Sequence, residues 1–490
     1  MTPFDALRWM NSFARLPDSF HQRVAPTPLP DPYLVAWNPD VGDLLGLPAD
    51  AGTDPALVAA INGTALPAGA EPLAAIYAGH QFGSWVPQLG DGRAILLGEV
   101  ETPGHAHWEL QLKGAGPTRF SRMSDGRAVL RSTIREYLAS EAMHALGVPT
   151  TRALAIIGSD APVYRERTES AAVLVRVAPT HVRFGTFELF ASRRLDAEVR
   201  LLADYVIEHD YPHLVTLPDA ERHAAWYAEV VARTARLMAQ WTAVGFAHGV
   251  MNTDNFSITG HTIDYGPYGW LDRYDPAHIC NHSDHGGRYA FSQQPAIGLW
   301  NCTRLGEALH AVVDEAAALS ALRGYRAIFE TTMTDLLRAK LGLSAADRAD
   351  AELATDWLAL LHDNGADYTR SFRALSRYDT AVPTSIDAFR AEITDSGKLD
   401  AWLSEYDARL EREARSSAER HEAMLRTNPK FVLRNWVAQD AIVNAEARNF
   451  DRIREVWSVL RKPFDEHPEF EHFAAPPPEW ATGLEVSCSS

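Results

Sequence analysis

HGVMNTDNFSITGHTIDYGPYGW, residues 248–270, is the stretch on which the fold turns. Its chemistry sits in Asp254, Asn255 and Asp264. A carboxamide beside a carboxylate, then a short apolar segment and a second carboxylate, offers hard oxygen ligands of the kind that hold Mg²⁺. Residues 256–259 and 262–263 read as two short strands about a turn at Gly260 and His261, a hairpin that would bring Asn255 and Asp264 close together. Magnesium held by one or two protein oxygens usually carries substrate phosphates on its other positions. The plainer alternative is a buried hairpin whose aspartates cap turns.

The spacing resembles a kinase catalytic loop, whose Asn and following Asp carry the metals. Those enzymes place a catalytic Asp soon after the His, as in H-R-D or H-G-D. Here that position is Val250, which cannot accept a proton, and the nearest carboxylate is Asp254. The stretch is therefore either a dead kinase-like site or one whose base has moved.

Upstream, residues 222–244 read as one long amphipathic helix broken at Gly245, which delivers the chain to His248. Before it, ALAIIGS and AAVLVRVAP read as strands. Arg176 lies among apolar neighbours in the second of these, where an unpaired guanidinium would be costly, so it needs a carboxylate or a ligand phosphate. Arg183 follows in the loop HVRFG. A helix over 132–146 shows an apolar stripe of Ile134, Leu138, Ala142 and Ala145 and carries Glu136 and Glu141. Either could pair with Lys113, which ends the strand HWELQL, and periodicity places Glu141 on the stripe and Glu136 off it. Gly90, Gly92 and Gly98 surround a turn into the strand 94–100, with Arg93 inside it. Such glycines suit either a plain hairpin or a phosphate-binding loop, and Arg93 favours an anion. The tetrapeptide DGRA recurs at Asp125 and Gly126 in a second turn.

At 490 residues, two or three domains are expected. The composition, 46% hydrophobic and 22% charged, is that of a soluble globular protein. A formal charge of −18 argues against nucleic acid or an anionic membrane as partner, and no apolar run reaches the length of a membrane span. The start has no signal-peptide pattern, and three cysteines fit a reducing cytoplasm. His278, Cys280, His282 and His285 match no standard zinc spacing. Beyond about residue 307 the chain reads as helical, with periodic segments at 325–341, 351–364, 399–426 and 432–445.

The strings YAGHQFG, QLGDGRAILLGE, LKGAG, SRMSDGRAVLRSTIRE, VRVAP, RFGTFE, GFAHGVMNTDN, DYGPYG, ICNHSDH and the terminal CSS together resemble the bacterial, cysteine-containing branch of the selenoprotein O family, over nearly the whole chain. The resemblance implies an α+β, two-lobed protein-kinase-like fold with a helical C-terminal extension. Residues 1–75 would wrap the fold, 76–180 form the N-lobe, 181–310 the C-lobe, and 311–490 the extension and tail. It implies a bacterial cytoplasmic enzyme that transfers AMP from ATP to Ser, Thr or Tyr hydroxyls of target proteins, with Mg²⁺ or Mn²⁺ and an inverted nucleotide; UMP transfer from UTP is also implied. Gly90, Gly92, Arg93, Lys113, Asp125, Gly126, Arg176 and Arg183 would bind the nucleotide, with Glu136 as partner of Lys113. Asn255 and Asp264 would hold the metal, Asp254 would accept the proton, and Cys280 and Cys488 would form a redox pair. The rivals are an ordinary γ-phosphotransferase and an inactive nucleotide-binding scaffold.

Overall fold

Alternation builds the centre of the molecule. In AILLGEVE (94–101) and AAVLVRVA (171–178) successive side chains point to opposite faces, and both faces are covered, so both runs are buried almost throughout. The computed structural model describes residues 2–481 and 483–486. Its strands are β1 (Arg8–Trp9), β2 (His21–Arg23), β3 (Tyr33–Trp37), β4 (Leu73–Ala75), β5 (Gly79–Gln81), β6 (Ser84–Val86), β7 (Ala94–Glu101), β8 (His107–Lys113), β9 (Ala128–Val129), β10 (Arg152–Tyr164), β11 (Thr168–Ala178), β12 (Phe246–Ala247) and β13 (Gly269–Trp270). Nine of them form one antiparallel sheet in the order β2-β4-β7-β8-β11-β10-β3, with β1 also on β7 and β9 on β11. The segment expected to wrap the fold supplies β1–β4 to the sheet.

The helices that cover the sheet are α1 (Pro39–Leu45), α2 (Pro55–Ile61) and α3 (Leu130–Ala145). On one face Ile95, Leu97, Leu112 and Val173 pack with Leu45, Leu57 and Ile61. On the other, Leu96 and Leu174 pack with Ile134 and Leu138 of α3. This second core runs on through α4 (Phe184–Ser192), α5 (Asp196–Asp210), α6 (Asp219–Ala243), α7 (Gln294–Ala308) and α8 (Glu315–Lys340). A third core surrounds Trp357, built by α9 (Asp350–Asn364), α10 (Tyr368–Leu375), α11 (Asp387–Glu392), α12 (Ser396–Leu410) and α13 (Ser417–Thr427). Finally α14 (Asn435–Glu446) and α15 (Asp451–Leu460) pack back on α3. The architecture is α+β with a helical C-terminal part, and among the described residues no helix is long and apolar enough to cross a membrane.

Two expectations need correction. The 256–263 hairpin has no strands, only a single bridge from Phe256 to Thr262. Neighbouring segments capture its backbone instead: Phe184 N–H donates to the Phe256 carbonyl (2.9 Å), Ile258 N–H to that of Val182 (3.1 Å) and Thr262 N–H to that of Pro149 (2.9 Å). The periodic segment 399–426 is two helices, because Ser416 and Glu419 form a capping box that starts α13 afresh.

Candidate active site

Strand register assembles the cations. Arg176 of β11 lies opposite Gln111 of β8, and Leu174 opposite Lys113. The two-residue period therefore puts Gln111, Lys113 and Arg176 on the face that α3 crosses. Glu136 of α3 meets them there. One of its oxygens bonds to Lys113 Nζ and to Arg176 Nη2 (3.1 Å), the other to Arg176 Nε. Arg176 Nη1 also donates to Gln111 Oε1 (3.1 Å). Glu141 is taken by Arg152, at 2.8 and 2.7 Å. Periodicity did not select Glu136 because α3 is buried on nearly every side, between the sheet and α14 and α15, so lying off the apolar stripe does not mean facing water.

Arg176 reaches across to Asp264 Oδ1 (2.7 Å), while Arg183, capping the start of α4, bonds Asp264 Oδ2 and donates to the Asp254 carbonyl (2.7 Å). An unbroken charged chain thus joins Lys113, Glu136, Arg176, Asp264 and Arg183. Against the cost of burial, Arg183 and Arg176 hold Asp264 far below the ordinary carboxylate range. Arg176 and Lys113 likewise hold Glu136 down against its burial. Burial, with the nearby Arg176 and Arg93 charges, pulls Lys113 to about 8 despite Glu136. Asp264 sits in the left-handed region, φ 57°, a strained backbone that persists where its surroundings over-determine it. The arginines are one constraint. The other is His248, whose Nε2 hydrogen-bonds the Ile263 carbonyl (2.9 Å).

Asp254 has a different setting. Among the described residues no cation bonds its carboxylate: Gln81 Nε2 donates to Oδ2 (3.3 Å), and Oδ1 is buried without a hydrogen-bond partner. Burial pushes its pKa up to about 7. Next to it, Asn255 Nδ2 donates to the Val250 carbonyl (3.0 Å), which leaves the amide oxygen as the open end of that side chain.

These groups line a cleft of about 690 Å³. Lys113, Arg176, Arg183, Asp254, Asn255 and Asp264 all face it, as do Gly90, Gly92 and Arg93 from the turn before β7. Val250 lines it too, where a kinase-like loop would carry its Asp. Gly92 is required by close approach, since a Cβ there would lie 2.9 Å from the Phe120 carbonyl oxygen. Asp125 and Gly126 are not among the lining residues: Asp125 forms a two-pronged pair with Arg165 (2.8 Å each) and caps Arg127 (2.9 Å). Glu136 stands behind Lys113 rather than in the lining. Cys280 is buried beside Gly249, and Cys488 lies outside the described residues. Sequence reasoning missed Gln81, Gln111 and Tyr77, the last with Arg183 stacked 4.9 Å above its ring. Neutral side chains bear no charge signal; only the strand alternation that put Gln111 beside Lys113 could have pointed to one of them.

Residues 3–461 match the family model described as protein adenylyltransferase SelO. Similar relatives are named protein nucleotidyltransferase YdiU. That of Thioalkalivibrio sulfidiphilus is 55% identical over 499 residues, and that of Myxococcus xanthus 53% over 490, each covering 100% of both chains. That of Thiobacillus denitrificans is 50% identical over 491 residues, again covering 100% of both. The chain belongs to the SelO protein adenylyltransferase family.

Proposed function

We propose that this chain is a protein nucleotidyltransferase that moves AMP from ATP onto Ser, Thr or Tyr hydroxyls of other proteins, with UTP as a second donor, in a cytoplasmic setting. The proposal includes a protein-kinase-like two-lobed arrangement with the nucleotide inverted, so that the α-phosphate faces Asp254. One observation carries it: a single cleft pairs a carboxylate clamped by two arginines with a buried carboxylate that no cation among the described residues bonds.

In this mechanism Lys113, Arg176 and Arg183 bind the phosphates and stabilise charge that develops on them. Gly90, Gly92 and Arg93 close over the nucleotide, and Asp125 and Gly126 order the loop beside it. Asp254 takes the proton from the acceptor hydroxyl. The hydroxyl oxygen bonds to the α-phosphorus, the bond from that phosphorus to the β-phosphate bridge breaks, and pyrophosphate leaves. The vacancy at Val250 fits this reaction, because a different phosphorus is attacked from that in γ-transfer.

The donors suit a hard divalent cation, Mg²⁺ or Mn²⁺. Asp264 is held ionised, one arginine on each oxygen leaves lone pairs free, and the Asn255 amide oxygen is open. Among the described residues no group of three His, Cys, Asp or Glu side chains could hold a metal alone, so phosphate oxygens would complete the set. When bound, such an ion neutralises phosphate charge.

A scaffold that only binds nucleotide is favoured by one observation, that both Asp264 oxygens are already engaged by arginines. ATP labelled at the α- or the γ-position separates the readings. Transfer of the α-label to protein supports nucleotidyl transfer. The γ-label points to a phosphotransferase, and a Mg-ATP thermal shift with no covalent label points to the scaffold. The redox pair Cys280 and Cys488 is also proposed. The Val486 carbonyl, two positions before Cys488, accepts from His282 N–H (3.0 Å), two positions after Cys280. Non-reducing peptide mapping after oxidation should find that pair, and its consistent absence dismisses it.

A further inference from the structure

The β5–β6 hairpin stands apart from the main sheet and is tied to the loop that carries Asp254. From β5, His80 N–H donates to Thr253 Oγ1 (2.7 Å) and Gln81 reaches Asp254, while Phe82 N–H donates to Asn252 Oδ1 (3.1 Å). Strand β6 pairs, among the described residues, with β5 alone, so its other edge is open to a further strand. Phe82 and Trp85 are 40% and 38% exposed on this hairpin, and Phe82 lines the cleft.

Arg288 lies against the hairpin turn. A Cβ on Gly83 would be 3.2 Å from its guanidinium carbon, and the guanidinium stacks 4.7 Å from the Trp300 ring centre. Its neighbour Arg304 is paired with Glu307 (2.6 Å), whereas the Arg288 guanidinium has no carboxylate partner among the described residues: its Nε and Nη2 are buried without a hydrogen bond, which leaves Nη1 as the nitrogen open to a docking side chain. In a chain of net charge −18, a cation left unneutralised beside an open strand edge is a receptor for an anionic side chain.

We infer that this hairpin is the docking ledge for the target polypeptide: an extended segment adds to β6 as a third strand and places an acidic side chain on Arg288. The inference rests on the nucleotidyl-transfer reading and names the partner of that site. Main-chain hydrogen bonds at the edge supply affinity and the charge supplies selection. Two strand spacings, roughly 10 Å, separate such a segment from Asp254. That distance is about three extended residues, so the acceptor hydroxyl lies about three residues beyond the paired portion.

The test uses the full chain, α-labelled ATP with Mn²⁺ or Mg²⁺, and synthetic Ser peptides whose flanking residues are Glu in one set and Lys in the other. The wild type should label the Glu set about tenfold faster in kcat/KM. Arg288→Glu should reverse the order while keeping the Mg-ATP thermal shift. Arg288→Gln, a milder change, should abolish the discrimination and serves if the charge reversal fails to fold. Equal use of the two sets by the wild type, or a preference that survives both substitutions, overturns the ledge. So does labelling of proteins but of no peptide, since an edge strand requires only an extended segment. If nothing is labelled by a chain that binds Mg-ATP, nucleotidyl transfer itself fails and the ledge falls with it.

Discussion

Asp254 and Asp264 face the same cleft with opposite electrostatic surroundings. Asp264 has an arginine on each oxygen and is held far below the ordinary range. Among the described residues Asp254 has one neutral amide on one oxygen and no hydrogen-bond partner on the other, and burial pushes it up to about 7. Identical side chains are thereby given different work. The first is a fixed negative charge around which two arginines are arranged; the second is a group that can take up a proton near neutral pH. Environments that drive two carboxylates apart in this way mark the division between electrostatic anchor and acid–base group.

Breaking the anchor should have the largest effect. Asp264→Ala leaves the buried Arg183 without a carboxylate, while Arg176 keeps Glu136, so unfolding in denaturant should show a loss of about 3–5 kcal/mol along with loss of transfer. Asp254→Asn should behave oppositely toward stability. With no cation to orphan, its melting temperature should hold or rise and its Mg-ATP thermal shift persist, while the transfer rate falls about 10²–10⁴-fold. Gln81→Ala removes the one hydrogen bond that the described residues make to the Asp254 carboxylate and should slow transfer by about tenfold, with nucleotide affinity unchanged.

A pH-dependent effect concerns the buried Glu188, which shares the cation-poor side of the contrast. Burial pushes it up to about 7, with Thr253 and Arg304 pulling it back and Glu307 pushing further, and its Oε1 meets His80 Nδ1 at 2.6 Å. The folded form thus holds a proton that the unfolded chain has already lost between its ordinary value and about 7. Stability falls as pH rises through that window, and the deficit remains above it. Glu188→Gln should change nothing at the acidic end and stabilise by about 2 kcal/mol above neutrality. A gain of equal size at both ends would contradict the assignment.

Chemistry that shows itself as charge in the wrong place was legible in the sequence. Arg176 among apolar residues, Lys113 at a strand end and the Asn255–Asp264 spacing all led to side chains that share one cleft. Glu136 was not legible from periodicity, because α3 has no solvent side against which a stripe could be read. The 256–263 strands failed for a related reason. Each arm is too short to dictate its own pairing, and segments distant in sequence took its hydrogen bonds. Likewise β1, β2 and β4 of the N-terminal segment are two or three residues long and gain their regularity from the sheet they join.

The most direct measurement follows AMP itself. Wild type and Asp254→Asn are incubated with ATP labelled at the α-position and the modified proteins are detected by label and intact mass. The wild type should gain AMP on protein, and Asp254→Asn should bind Mg-ATP as tightly yet transfer almost none. Undiminished transfer by Asp254→Asn, or label reaching protein only from the γ-position, would contradict the division of labour between the two aspartates.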